Sequence, residues 1–150
     1  KSLGEYLRDG KRFSVNEIVK YGMEIAEVFS YFHNRKPPVY YGDLKPDNLM
    51  LGENGRLYLI DLGGAVNGYK YQHKVCTGTN GFAAPEQYGL SQSDGRADIY
   101  ALGVLLNIML TGEHPSRKLA SGRMGRIVQR CTMVNPEKRY KNILHLMEVL

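Results

Sequence analysis

The spacing of apolar residues in the first part of the chain predicts two helices. A short amphipathic helix ending near Gly10 is indicated by three residues, Leu3, Tyr6 and Leu7. Ser14 and Glu17 then form a capping-box pattern, in which each side chain satisfies a free backbone N–H at a helix start. Behind this box apolar side chains recur at helical spacing: Val15, Ile18, Val19, Met23, Ala26, Phe29 and Phe32. Because proline excludes the preceding residue from helical geometry, the helix is expected to end before Pro37-Pro38.

The C-terminal half predicts three more helices. Residues 97–111 are apolar on nearly all sides, which is typical of a buried helix, and Gly112 is suited to end it. Two further helices are expected over residues 124–133 and 142–150, separated by Asn135-Pro136. The chain is therefore expected to form a mostly α-helical domain over residues 1–150, with one core.

A small β-hairpin is predicted in the middle of the chain. Residues 49–51 and 57–60 are short apolar strand candidates, and Asn54-Gly55 between them is a strong signal for a tight turn. Asn48 comes just before the first strand and Asp61 just after the second. The antiparallel pairing therefore predicts that both side chains lie at the open end of the hairpin.

Composition and charge narrow the classes of function. The apolar content of 43% and charged content of 23% are ordinary for a globular domain, and the net charge of +5 is scattered, without a basic run for nucleic acid. The longest apolar stretch, residues 99–110, is shorter than the roughly 20 residues that span a bilayer, so no membrane segment is expected within this chain. Cys76 and Cys131 lie far apart, which favours a reduced cytoplasmic setting over a disulfide framework.

Two polar turns carry the candidate chemistry. Asp43, Lys45 and Asn48 precede the hairpin, and Asp61 follows it. The oxygens of Asn48 and Asp61 are hard donors suited to Mg²⁺, while Lys45 can neutralise charge on a transferring phosphoryl group. Asp43 is expected to face a hydroxyl presented to that metal site. Residues 63–83 are rich in Gly, Asn, Lys and Thr and predict a long loop, which in compact domains is usually functional.

These residues belong to a series of motifs that resembles the C-terminal lobe of a serine/threonine protein kinase. The matches occur in the family's order: D-L-x-x-x-N at residues 43–48, Asp61-Leu62-Gly63 in the place of D-F-G, Gly78-Thr79 before Phe82, Ala84-Pro85-Glu86, Asp98 to Gly103, and Pro136 to Arg139. They cover nearly the whole chain. The resemblance implies a helical bundle with a small β-hairpin at the active-site edge. Lysine at position 45 is the serine/threonine form of the loop.

The resemblance also implies a role for each site residue. Asp43 would be the catalytic base or hydroxyl-orienting group, and Lys45 would contact the γ-phosphate of ATP. Asn48 and Asp61 would hold magnesium, and Met50 would lie beneath the adenine ring. The remaining roles support the site: Thr79 would brace Asp43 and Lys45, Asp98 would hold the backbone of the catalytic loop, and Glu86 and Arg139 would form a structural ion pair.

The chain also departs from the family pattern. Tyr41-Gly42 stands where the family usually has His-Arg, and the stretch from Gly112 to Ile127 is short, so the substrate-docking helix expected there is reduced or absent. The 150 residues contain no glycine-rich phosphate loop and no strand lysine. They are therefore expected to be part of a longer kinase and inactive alone. They are also expected to self-associate through the surface that the missing N-terminal lobe would cover, which includes Met50 and its neighbours.

Two alternatives to a protein kinase remain open from the sequence. The first is a kinase-like module that binds partners without turnover, against which the retention of Asp43, Lys45, Asn48 and Asp61 speaks. The second is a small-molecule phosphotransferase of the same superfamily, in which a Gly-Asp pair also occurs in the catalytic loop. The expected partner is a protein substrate, and the expected setting is cytoplasmic, including the cytosolic part of a membrane-anchored protein. The four histidines share no pattern and are predicted to be surface or packing residues.

Overall fold

The computed structural model describes residues 1–62, 65–67, 81–88 and 94–150. Within these ranges helices dominate, as the sequence predicts. The α-helices are α1 (Leu3–Arg8), α2 (Val15–His33), α3 (Gly95–Thr111), α4 (Gly122–Cys131) and α5 (Ile143–Val149). The strands are β1 (Val39–Tyr40), β2 (Leu49–Leu51), β3 (Leu57–Leu59) and β4 (Val66–Asn67), and single 3₁₀ turns cover Pro46–Asn48, Pro85–Tyr88 and Pro136–Lys138.

Helix α2 begins with the capping box that its sequence predicts. The Glu17 N–H donates to Ser14 Oγ at 3.3 Å, and the Ser14 N–H donates to Glu17 Oε2 at 2.8 Å. The helix ends at His33, four residues before Pro37. Its inward side is apolar, and it packs against α3 and α5.

Helix α3 forms the centre of the core and contacts α2, α4 and α5. Other parts of the protein cover this helix on nearly all sides, which accounts for its apolar sequence. Leu102, Leu105 and Leu106 are completely buried. Burying each of these side chains contributes about 1.5–3 kcal/mol relative to leaving it exposed. The helix ends at Gly112 in the left-handed region, with φ of +81°.

One buried polar side chain on α3 holds the chain that follows it. The amide nitrogen of Asn107 donates to the carbonyls of Glu113 at 2.9 Å and Lys118 at 2.8 Å, and its oxygen accepts from the Ala120 N–H at 2.8 Å. Residues 112–121 form turns and extended chain, and α4 begins at Gly122, inside the stretch from Gly112 to Ile127 in which a reduced or absent substrate-docking helix is predicted. Asn107 therefore supplies backbone hydrogen bonds that a helix would otherwise make internally.

The predicted hairpin is present, and a second ribbon was not predicted. Strands β2 and β3 pair antiparallel with Met50 opposite Tyr58, and the Ile60 N–H donates to the Asn48 carbonyl at 3.0 Å, which extends the pairing to the open end. Strand β4 pairs with β1, so the prediction of uninterrupted loop over residues 63–83 is wrong at positions 66 and 67. Two-residue strands are too short to show alternation in the sequence.

Candidate active site

Asp98, at the start of α3, holds the backbone of the loop that carries Asp43. The side chain of Asp98 is almost fully buried. Its Oδ1 accepts from the Gly42 N–H at 2.8 Å and its Oδ2 from the Tyr41 N–H at 3.0 Å. A buried carboxylate needs such donors to offset the loss of its hydration. The loop is thus anchored to the central helix immediately before Asp43.

Three of the predicted site residues come together in this loop. Lys45 Nζ lies 3.8 Å from Asp43 Oδ2, and both side chains are partly exposed. The amide nitrogen of Asn48 donates to the Asp43 carbonyl at 3.0 Å, which closes the loop upon itself. The 3₁₀ turn Pro46–Asn48 then leads directly into β2. A carboxylate and an ammonium group therefore reach solvent side by side at the open end of the hairpin.

Asp61 is brought to the same end by β3 and by Tyr41. The hydroxyl of Tyr41 donates a short hydrogen bond to the Asp61 backbone carbonyl, and the Tyr41 side chain is completely buried. Burial, followed by the negative charge of Asp61, raises the pKa of Tyr41 above its ordinary value. Because a neutral phenol is needed to donate this bond, the raised pKa extends the pH range of the bond further into alkaline conditions. Asp61 itself is exposed.

Of the two remaining predicted contact residues, Met50 lies within the described residues and Thr79 does not. Met50 lies in the middle of β2, half-buried, and its backbone also makes a bridge to Ser2. It is therefore on the strand that leaves Asn48, at the edge of the cluster of polar residues. Thr79 lies outside the described residues, together with the greater part of the predicted long loop.

A family model described as the protein kinase domain matches residues 1–148. The chain belongs to the protein kinase family. This match covers both the loop that carries Asp43 and the later segments that hold it in place. Members of this family transfer a phosphoryl group, and they generally use ATP and Mg²⁺.

Curated relatives of this kinase domain are themselves kinases. The chain is 32% identical over 92% of its length to a serine/threonine-protein kinase WNK of Caenorhabditis elegans, covering 9% of that protein. It is 30% identical over 97% of its length to the dual specificity protein kinase zak2 of Dictyostelium discoideum, covering 25% of that protein. An Aurora kinase of Schizosaccharomyces pombe is 34% identical over 75% of the chain, which spans 31% of that relative. The chain thus spans a third or less of the length of these relatives.

Glu86 and Arg139 form a bidentate ion pair in this kinase domain. Arg139 Nη1 lies 2.6 Å from Glu86 Oε1, and Nη2 lies 2.9 Å from Oε2. The arginine side chain is fully buried and that of Glu86 is 10% exposed. The remaining guanidinium donors are directed at backbone carbonyls of three residues, Arg96, Met133 and Val134. The pair thus fixes the 3₁₀ turn Pro85–Tyr88 against the C-terminal part of the chain.

Two further side chains, whose contacts the sequence does not predict, also hold the loop that carries Asp43. His33 Nε2 lies 2.8 Å from Asp98 Oδ2, so the expectation of a plain packing residue omits its hydrogen bond. Gln87 is buried, and its amide links the Ala84 N–H to the Gly42 carbonyl, at 2.8 Å and 3.0 Å respectively. Neither contact has a sequence signal, because each joins positions more than 40 residues apart, with no periodicity or motif spacing between them.

Within the described part of the chain, no helix is long and apolar enough to cross a membrane.

Proposed function

We propose that these residues form the C-terminal lobe of a serine/threonine protein kinase. The complete enzyme would transfer the γ-phosphoryl group of ATP to serine and threonine hydroxyls of proteins. The observation that supports this best is the position of Lys45 Nζ, 3.8 Å from the carboxylate of Asp43 in a loop anchored by Asp98. That arrangement provides an acceptor for a hydroxyl proton beside a fixed positive charge.

The chemistry proposed for these residues is positioning and charge neutralisation. Asp43 would accept a hydrogen bond from the substrate hydroxyl, orient its oxygen toward the γ-phosphorus, and take the proton as the bond forms. Lys45 would stabilise the negative charge on the phosphoryl oxygens during transfer. Because both groups belong to one loop whose backbone is held by Asp98 and Asn48, little ordering is left to occur when substrate binds.

Asn48 and Asp61 are the residues proposed to hold magnesium. Their amide and carboxylate oxygens are the hard donors that this ion prefers. Among the described residues no group of three or more His, Cys, Asp or Glu side chains is placed to hold a metal ion. Two protein donors fit a site that the phosphates of ATP complete, which is the usual arrangement for magnesium. When bound, the ion would supply positive charge to the phosphates.

The isolated lobe is proposed to expose an apolar surface that the N-terminal lobe would cover. Three large apolar side chains at and after β3 are about half exposed: Tyr58 at 49%, Ile60 at 54% and Leu62 at 54%. Ile60 and Leu62 follow β3 at the open end of the hairpin, whereas Tyr58 lies in the middle of β3 and its hydroxyl accepts from the Asn54 amide in the turn at 2.8 Å. Contiguous exposed apolar surface of this kind usually marks an interface.

A buried, unbridged Cys131 thiol is in keeping with a cytoplasmic setting.

Purified residues 1–150 should therefore self-associate through Ile60 and Leu62. We expect sedimentation to show a concentration-dependent increase in mass, accompanied by binding of an apolar dye, and the double change Ile60→Ser and Leu62→Ser to reduce both. Val134→Ser is the matched control, because Val134 is 74% exposed and lies after α4, where its carbonyl contacts Arg139. A strict monomer at high concentration without dye binding would contradict this assignment of the surface.

A substrate panel tests the proposed reaction. The complete protein is incubated with ATP and magnesium and offered casein, myelin basic protein, an aminoglycoside or choline, and the transferred phosphate is located by mass spectrometry. We expect phosphoserine and phosphothreonine in the proteins and none on the small molecules. Residues 1–150 alone should give no turnover, because they contain no glycine-rich loop or strand lysine to place the γ-phosphate. Phosphorylation of the small molecules alone would favour the second alternative.

A further inference from the structure

Gly42, the residue before Asp43, is held at both its N–H and its carbonyl. The Gly42 N–H donates to Asp98 Oδ1 at 2.8 Å, and the Gly42 carbonyl accepts from Gln87 Nε2 at 3.0 Å. Gly42 has a φ of +76°, in the left-handed region that residues with a side chain rarely adopt. Both ends of this glycine are therefore fixed by side chains of distant segments, one from α3 and one from the 3₁₀ turn Pro85–Tyr88.

The Gly42 carbonyl that Gln87 holds is part of the peptide group next to Asp43. The Gly42 carbonyl and the Asp43 N–H belong to one rigid peptide plane, so rotating the carbonyl changes the backbone angles on both sides of it. Glycine offers little resistance to such a rotation, because it lacks a Cβ and tolerates most backbone angles. An external hold on the Gly42 carbonyl therefore restricts the orientation of the Asp43 carboxylate, in addition to the bond from Asn48 to the Asp43 carbonyl.

Gln87 is itself rigidly supported. Its Oε1 accepts from the Ala84 N–H at 2.8 Å, and its own N–H donates to the Ala84 carbonyl at 2.9 Å. The preceding residue, Glu86, is fixed by the ion pair with buried Arg139. Gln87 is only 8% exposed, so its amide acts without competition from bulk water.

We infer that Gln87 is a positioning residue for Asp43. Its amide joins the segment at residues 84–88 to the catalytic loop. In doing so it fixes the Gly42–Asp43 peptide, which residue 42 cannot fix itself because it has no side chain. The loop geometry is thereby linked to the ordering of the Ala84–Gln87 turn. The inference rests on the proposed phosphotransfer by Asp43, and it assigns no contact between Gln87 and substrate.

The decisive variant is Gln87→Glu in the complete kinase. It keeps the length of the side chain and the oxygen that accepts from Ala84, but replaces the NH₂ that donates to Gly42 by a second oxygen. We expect kcat for casein phosphorylation to fall roughly tenfold to a hundredfold near pH 8, with the KM for ATP within about twofold. Gln129→Glu, an exposed position on α4, is the matched control and should follow the parent.

The pH dependence separates this role from general support of the fold. Burial raises the pKa of a carboxyl group, and its protonated form can donate again to the Gly42 carbonyl. The activity of Gln87→Glu relative to the parent should therefore rise as the pH falls from about 8 to 5.5. Gln87→Met, which has no donor at any pH, should show a similar loss of kcat without this recovery. A parent-like kcat in Gln87→Met, or a loss in Gln87→Glu that does not change with pH, would overturn the inference.

A measurement that does not depend on activity separates the proposed role of Gln87 from the proposed phosphotransfer. Hydrogen exchange followed by mass spectrometry on a peptide spanning residues 41–48 should be faster in Gln87→Met than in the parent, with the thermal midpoint changed by a few degrees at most. If the parent transfers no phosphate, the proposed function fails, while the exchange result still tests the hold on Gly42. Unchanged exchange in residues 41–48 would contradict the hold itself.

Discussion

Replacing Asp43 by asparagine in the complete kinase is expected to lower kcat roughly 10²- to 10⁴-fold, the usual contribution of a positioned acid–base group. Asparagine keeps the shape of the side chain but cannot take the proton of the substrate hydroxyl. It also removes the negative charge that lies 3.8 Å from Lys45 Nζ. The KM for ATP should change much less than kcat, because Asp43 is proposed to act on the hydroxyl and not on the nucleotide.

Asp47 provides a matched control from the same loop. It lies four residues further along, is exposed, and pairs with Arg8 at 2.9 Å. Exposed pairs of this kind contribute about 0–1 kcal/mol, so Asp47→Asn should leave kcat within about twofold. Steady-state kinetics and circular dichroism on both variants make the comparison. Equal activities of Asp43→Asn and Asp47→Asn would show that the catalytic role of Asp43 is wrong.

The largest expected effect on stability follows from Glu86. Removing its carboxylate in Glu86→Ala leaves the guanidinium of Arg139 fully buried without its counter-charge, which typically costs about 3–5 kcal/mol. The backbone carbonyls that Arg139 also contacts provide partial compensation, so we expect the lower part of that range. Asp47→Ala removes an exposed ion pair and should cost about 1 kcal/mol or less.

A double-mutant cycle tests this explanation. Arg139→Met removes the charge together with its need for a partner, so the double variant with Glu86→Ala should recover part of the loss. Chemical denaturation of the four proteins gives the free energies of unfolding, provided that each unfolds in a single transition. Strictly additive effects would mean that the two side chains are not coupled. That result would conflict with their separation of 2.6 Å.

The sequence predicts the elements of this fold better than the contacts between them. Helices α2 and α3 are evident because their signals are local: Ser14 and Glu17 start one, and Gly112 ends the other. The hairpin follows from Asn54-Gly55 in the same way. These signals need only a few neighbouring residues, which is why they can be read without knowing the tertiary structure.

The missed features depend on distant residues. His33 contacts Asp98 across 65 positions, and Gln87 contacts Gly42 across 45. The role of Asn107 was also not predicted, although its partners lie only 6 and 13 positions away, because an amide inside an apolar helix has no evident role until its partners are known. The candidate cluster of Asp43, Lys45, Asn48 and Asp61 could be predicted because the hairpin signal places Asn48 and Asp61 at one end, and because the family motifs assign a role to each of the four residues. The role of Thr79 stays a prediction.

The hydrogen bonds of Asn107 have a consequence for how this protein can vary. The outline of residues 112–121 is set by an amide on α3, which binds the chain at Glu113, Lys118 and Ala120. The exposed side chains of Arg117 and Lys118 can therefore change without altering the path of the backbone. A surface of new chemistry can arise there while the central helix stays the same. Asn107, together with the Thr111 hydroxyl that bonds to Glu113, thus allows this surface to vary independently of the fold.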